Sequence, residues 1–307
     1  MMPELASPAS HGRIVTEIAP LLSEQSARTS FAYCKRLTRG SRSSFRFAFR
    51  MLPPAKRAAM DALYAYMRVT DDLADDPGCL SMKQVELIDW RNRLHAAMSG
   101  CYSHRLHAAL HATVQQFAIP TDYLIDVIDG VETDLWAVRC TTFADLECYC
   151  YRVASTVGLS CVRIWGLQPT ADEEQAKTMA IAAGVAFQLT NILRDLGEDL
   201  HEGRVYLPAD ELAQFDCPAD SWHLPAVVPA FRAMLAFQVA RARRYYARSR
   251  SLADMLTPEG RAVFALMSTA YEKLLDRVEV AQEDVLRRRV RLGRLTKLRL
   301  LARTIWA

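Results

Sequence analysis

The chain has 307 residues, 51% of them hydrophobic and 24% charged, with 12 glycines and 13 prolines. That composition excludes a disordered, collagen-like or turn-rich β protein and favours helices built into one large domain or two modest ones. The net charge of +3 is too small to point to nucleic acid, and none is expected as a partner.

Residues 1–28 read as a loose N-terminal arm, and "MMPELASPASHGRIVTEIAP" lacks the apolar core of a signal peptide. No run of about 20 apolar residues occurs, so no spanning helix is expected and any membrane contact is expected to be peripheral. Residues 29–307 carry helical periodicity with short breaks and no alternation for strands, which reads as one domain. A helix is predicted from Pro53-Pro54 to Asp76, stopped by Pro77-Gly78. His104, His107 and His111 have helical spacing, but no acid or cysteine motif completes a metal set, and they read as surface or core residues. A second long helix opens at Thr170-Ala171-Asp172-Glu173, which fits a capping box, and ends before Gly203. Tyr206, Leu207, Phe215 and Trp222 make the stretch 200–226 too apolar for a solvated linker. The end of the chain, "RRRVRLGRLTKLRLLARTIWA", has eight Lys/Arg and no acid. It is predicted as a basic helix over 285–307, lying either on an anionic membrane surface or on the bundle. The eight cysteines form no CxxC pair and read as reduced thiols of a cytoplasmic protein.

Both long helices concentrate acid in their last turns: Asp71, Asp72, Asp75 and Asp76 in the first, Asp195, Glu198 and Asp199 in the second. A helix C-terminus already carries partial negative charge, so each carboxylate there costs about 0.3–1 kcal/mol. Asp71 and Asp75 are four apart, and Asn191, Asp195 and Asp199 repeat that step, so each set shares a helix face. Inward-facing oxygen ligands of this kind suit Mg2+, which keeps waters and binds substrate phosphates as well. Arg68, Arg194 and Arg204 lie close by in sequence. Metal, carboxylates and arginines together would receive a polyanion such as diphosphate.

The residues carry a resemblance at this point. "DDLAD" at 71–75 and "QLTNILRDLGEDLHEGRVYLP" at 188–208 are similar to the two aspartate-rich motifs of squalene and phytoene synthases. "YCYRVASTVG" at 149–158 resembles that family's Tyr-Cys signature, and "SSFRFAFRMLP" at 43–53 its first substrate-binding helix. The resemblance implies an all-α, single-domain isoprenoid synthase helical bundle around a central cavity. It implies head-to-head joining of two prenyl diphosphates through a cyclopropylcarbinyl diphosphate, assisted by two or three Mg2+ ions. By position it makes Asp71 and Asp75 one set of metal ligands and Asn191, Asp195 and Asp199 the other. Arg68, Arg204, Tyr206, Ser44 and Phe45 would contact diphosphate, and Tyr149 would handle a proton or orient the intermediate. Val153, Ala154, Val157 and Gly158 would line the tunnel, with Gln188 and Tyr271 also at the substrate. Phe45, Phe49, Tyr64 and Phe187 are candidates to face cationic carbon. Ser41 departs from the histidine of some relatives.

The stretch 126–166 reads most like bacterial presqualene diphosphate synthases, and Phe49 would shorten a tunnel. The expectation is therefore condensation of two C15 farnesyl diphosphates to presqualene diphosphate or squalene, with a C20 phytoene synthase as the alternative. No GxGxxG occurs, and relatives that use NADPH do so without one, so NADPH use is left open. The rivals are a terpene cyclase or head-to-tail prenyltransferase, and a non-enzymatic basic helical protein that binds membrane or nucleic acid. "YCYRVASTVG" and "GRVYLP" speak against the first, and the two acid clusters against the second.

Overall fold

A computed structural model describes residues 12–40, 46–136 and 139–293. The helices are α1 (Gly12–Gly40), α2 (Arg46–Phe49), α3 (Pro54–Asp75), α4 (Leu80–Met98), α5 (His107–Phe117), α6 (Thr121–Thr133) and α7 (Phe143–Cys150). A π-helical turn, Tyr151–Ser155, joins α7 without a break to α8 (Thr156–Trp165). Then come α9 (Glu173–His201), α10 (Ala209–Gln214), α11 (Val228–Ser249), α12 (Leu252–Met255) and α13 (Pro258–Ala281). Among the described residues the β pairing is limited to two isolated bridges, Arg139–Val205 and Leu167–Leu256.

Three local expectations are corrected. The arm over 1–28 is helical from Gly12 onward; Ile14, Ile18 and Leu22 recur every four residues, a helical period that Pro20 and the polar neighbours obscure. The basic helix over 285–307 does not form in its described part. α13 stops at Gln282, whose φ is 50°, and after the 3-10 turn Gln282–Leu286 the chain is irregular from Arg289 to Gly293. There Arg289 is drawn onto Asp195 and Glu198, which holds the chain across the end of α9. Residues 294–307 lie outside the described residues. Finally, α9 is capped by Asp172, whose carboxylate accepts from Gln175 N at 3.0 Å, and not by Thr170.

α3 shows how its awkward end is tolerated. Its last turn has no basic residue of its own. Lys83, on α4, donates to the Ala74 carbonyl at 2.6 Å and supplies the cation that the helix dipole favours there. Arg68 pairs with Asp72, so one of the four aspartates is neutralised from one turn earlier.

The apolar side chains form two packed groups. One gathers residues of α1–α6, α8, the first half of α9, α12 and the first half of α13. The other gathers α7, the second half of α9, α10, α11 and the second half of α13. Phe187, midway along α9, packs against both. α9 has the length and hydropathy of a membrane span, but most of it is buried as the central helix. Its approach to the π-turn depends on Gly184, where a Cβ would lie 2.4 Å from Ser155 Cα. The His104–His107–His111 series is structural: His107 is fully buried against Trp90, and its Nδ1 accepts from the Ser103 and His104 amides.

Candidate active site

A cavity of about 380 Å3 opens between the two packed groups. Three helix runs set its axis. α3 presents Asp71, Met67, Tyr64 and Met60; α9 presents Asn191, Gln188, Phe187 and Ala180; the α7–α8 run presents Tyr149, Val153, Val157 and Trp165. One end is therefore polar, where α3 and α9 finish and α7 stands. The other is apolar, closed by Met60, Trp165, Leu252 and Phe264.

Of the residues expected at a substrate, Asp71, Phe49, Tyr149, Val153, Ala154, Val157, Gly158, Gln188, Asn191 and Tyr271 line this cavity. So do Tyr64 and Phe187. Ser44, Phe45 and Ser41 lie outside the described residues. Arg68 is exposed at the rim and engaged with Asp72. Asp75, Asp195, Asp199, Arg204 and Tyr206 are not in the cavity wall but gather around its polar end.

Asp71 has exposed surface, yet it opens on the cavity it lines, with protein around it. That desolvation, reinforced by Asp75, raises its pKa to about 7. Asp199 is raised to about 7 by burial and by Asp195. Asp134, at the C-terminal end of α6, is raised to about 6 by burial, with the bonds from Tyr206 and Tyr149 and the charge of Arg204 pulling the other way. Tyr206 OH donates to Asp134 Oδ1 at 2.7 Å and Tyr149 OH to Oδ2 at 3.1 Å. The two rings stack with centroids 4.8 Å apart. Asp134 also adds to the repulsion felt by both Asp71 and Asp199. A third acidic helix end thus joins the two read from the sequence. Asp134 was missed, although acid at a helix C-terminus was the available signal, in "GVETDL".

The loop after α9 builds the rest. Arg204 N donates to the Asp199 carbonyl at 2.8 Å, and the Arg139–Val205 bridge follows. The Arg204 guanidinium pairs with Glu202 and stands 3.9 Å from Asp75, while its buried Nε has no partner. Asp195 is held by Arg194 Nε at 2.7 Å and by Arg289 Nε at 2.9 Å, and Glu198 by Arg289 Nη1 at 3.0 Å. Arg289 was not singled out in the sequence, because nothing separates it there from the basic residues beside it.

The donor set suits Mg2+ in chemistry, being carboxylates and one amide oxygen. Asn191 donates to Gln188 Oε1 at 3.2 Å, which leaves its buried Oδ1 without a partner. Among the described residues no three His, Cys, Asp or Glu side chains converge as a ready-made metal site. That arrangement fits an ion held by one or two carboxylates with substrate phosphates completing its shell, and not an all-protein cage.

Comparison with known proteins agrees with this layout. The family model described as squalene/phytoene synthase matches residues 38–296. The chain is 36% identical over 250 residues to phytoene synthase 2, chloroplastic, of Solanum lycopersicum, covering 81% of each chain. It is 34% identical over 274 residues to 15-cis-phytoene synthase of Synechococcus elongatus, covering 86% of this chain and 89% of that one. Among solved structures, a dehydrosqualene synthase in complex with ligand superposes with a TM-score of 0.81 at 27% identity, over 92% of this chain and 98% of that one. Squalene synthase HpnC from Alicyclobacillus acidocaldarius gives a TM-score of 0.76 at 26% identity, over 83% and 95%. A single all-α bundle, a cavity with acid gathered at one end and a match across most of the chain make this protein a member of the squalene/phytoene synthase family.

Proposed function

We propose that the chain joins two C20 prenyl diphosphates head to head, giving a C40 product of the phytoene type. The observation that carries the reading is the cavity, mostly apolar along its length with Asp71 and Asp134 in its wall at one end, beside which Arg204 and Asp75 stand 3.9 Å apart. Two things support the C20 donor over the expected C15. The similar sequences at 34–36% identity are named phytoene synthases. The wall from Tyr149 to Trp165 is also about 24 Å long at 1.5 Å per residue. Carbon–carbon bonds of ~1.5 Å make an extended isoprene repeat about 5 Å, so four repeats take about 20 Å. The C15 reaction is the second reading, favoured by Phe49, which faces into the cavity and narrows it.

Heterolysis of the allylic C–O bond leaves a diphosphate and a carbocation. Bound Mg2+ would supply the Lewis-acid charge that stabilises the departing diphosphate. Asp71 and Asp75 would hold one ion and Asn191, Asp195 and Asp199 another, with substrate phosphates completing each shell. Arg204, whose Nη1 stands 3.9 Å from Asp75 and whose Nε has no partner, clamps the diphosphate, and Arg68 approaches from the rim. The apolar walls keep water from the cation, and the rings of Tyr64 and Phe187 offer it their faces. Attack by the second molecule's double bond closes a cyclopropane with loss of one proton. Asp134 is the acceptor: its carboxylate lines the cavity, its raised pKa makes it a competent base near neutrality, and Tyr149 relays to it. Loss of the second diphosphate leaves a second carbocation, which rearranges and gives up a second proton to become the neutral C40 hydrocarbon.

The test offers farnesyl and geranylgeranyl diphosphate in equal amounts with Mg2+, with and without NADPH, and identifies products by mass spectrometry. A C40 hydrocarbon formed without NADPH is expected. A C30 product made only from the C15 donor would replace this reading with the second.

A further inference from the structure

The blind end of the cavity is held more firmly than packing alone requires. The Trp165 carbonyl accepts from Lys56 Nζ at 2.6 Å and from Thr257 Oγ1 at 2.7 Å, and Lys56 is itself paired with Glu259 at 2.7 Å. The next residue, Gly166, takes φ 86° and accepts from the Thr257 amide at 3.0 Å. Gly260 lets α13 close on Trp165, since a Cβ there would lie 2.9 Å from Trp165 Cβ. The indole is 3% exposed and lines the cavity, yet its Nε1 has no hydrogen-bond partner. A buried N–H left unsatisfied is unfavourable, so what the ring contributes at this position is volume.

Behind this wall lies a second void of about 240 Å3, apolar where Leu159, Val162, Leu167 and Phe117 line it and charged at its outer side, where Arg163 pairs with Glu173. Val162 lines both voids. The two voids meet at that one side chain; Trp165 lines the inner void, and the next residue, Gly166, lines the outer.

Building on the prenyl diphosphate reading, we propose that Trp165, with Val162 beside it, is the stop that sets the longest prenyl chain the cavity accepts. The outer void is the space a longer chain enters once the stop is reduced. Trp165→Leu should let a fifth isoprene repeat, about 5 Å, pass the wall.

The experiment measures kcat and KM for C15, C20 and C25 prenyl diphosphates with the wild type, Trp165→Leu, Trp165→Phe and Val162→Ala, each checked for folding by thermal melt. The ratio of kcat/KM for C25 over C15 should rise at least roughly tenfold in Trp165→Leu. It should rise less in Val162→Ala and stay near the wild-type ratio in Trp165→Phe, which keeps a ring in place. The gain should fall on KM for C25, with kcat for C15 the lesser change. If Trp165→Leu fails to fold, Val162→Ala decides. A folded, active variant set with unchanged ratios overturns the proposal. Equal shifts in Trp165→Phe and Trp165→Leu also overturn it, because volume would not then be the cause. A wild type that releases no diphosphate from any of the three donors fails the underlying reading instead.

Discussion

Gly184→Ala places a methyl group where the structure leaves no room. Its Cβ would lie 2.4 Å from Ser155 Cα and 2.6 Å from Ser155 N, backbone atoms that cannot rotate aside. Carbon atoms in good contact stand about 3.5–4.0 Å apart, so α9 and the π-turn must separate by roughly 1 Å or more. Overpacking costs about 1–3 kcal/mol, occasionally more, and contact with backbone atoms puts this case at about 2–3 kcal/mol. Alanine recovers about 1 kcal/mol through its helix propensity, which leaves a net loss of about 1–2 kcal/mol. For a domain of this size that lowers Tm by roughly 2–8 °C. Because Val153 and Ala154 reach the cavity from this turn, kcat/KM should fall together with Tm. The assay is a thermal melt followed by circular dichroism, paired with diphosphate release. Gly40→Ala is the control: a Cβ there meets nothing within 4 Å, and its Tm should hold or rise. A Gly184→Ala protein as stable as wild type would refute the claim that backbone contact governs this crossing.

Asp71→Asn should abolish turnover while Asp76→Asn stays within a few-fold of wild type, since Asp71 faces the cavity and Asp76 does not; steady-state kinetics on both variants compares them. Asp134→Asn should lower kcat by about 10²–10⁴-fold with little change in KM, and an effect confined to KM would remove it from proton transfer. Arg289→Gln should tighten Mg2+ binding measured by calorimetry, because Arg289 holds Asp195 and Glu198 in the metal-free protein; weaker binding would mean that it supports the site. Asp71 and Asp199 have folded-state pKa values near 7 against an ordinary 3.8. Folding therefore favours their protonated forms, and the stability they contribute is full below about pH 4 and lost as pH rises through 7. Melts of the metal-free protein should show that decline, and Mg2+ should raise Tm more at pH 8 than at pH 5.5.

Both acid clusters were legible because they break a local rule: carboxylates sit where a helix prefers cations. The tunnel residues from Val153 to Gly158 were legible only through the resemblance, since small apolar residues on a helix read as ordinary core. Asp134 obeys the same rule as Asp71, but Asp129 and Glu132 on the same helix are occupied by Arg91, which makes the whole segment look like a solvated face. Arg289 and Trp165 act through positions fixed by tertiary contacts more than 90 residues away in the chain, and no local pattern marks them. The C-terminal helix was misread for a similar reason: charge and periodicity favour a helix, while the pull of Asp195 and Glu198 on Arg289 favours an irregular path.

The π-turn at Tyr151–Ser155 sets the angular register of the cavity. Sixteen residues of regular α-helix, at about 100° each, would leave Tyr149 and Trp165 roughly 160° apart and on opposite faces. A π-turn amounts to one residue inserted into the helix, and discounting that residue brings the two to roughly 60° of each other. Tyr149 at the polar end and Trp165 at the blind end can then look into the same space from one unbroken helix. Neither proline nor glycine marks the turn, and Ser155 Oγ ties it to α9 through the Ile181 carbonyl at 2.9 Å. By the same count a single-residue deletion between 151 and 155 would give a regular helix whose two ends still face one space, whereas one further residue inserted there would turn one end of the cavity wall away from the other by about 100°.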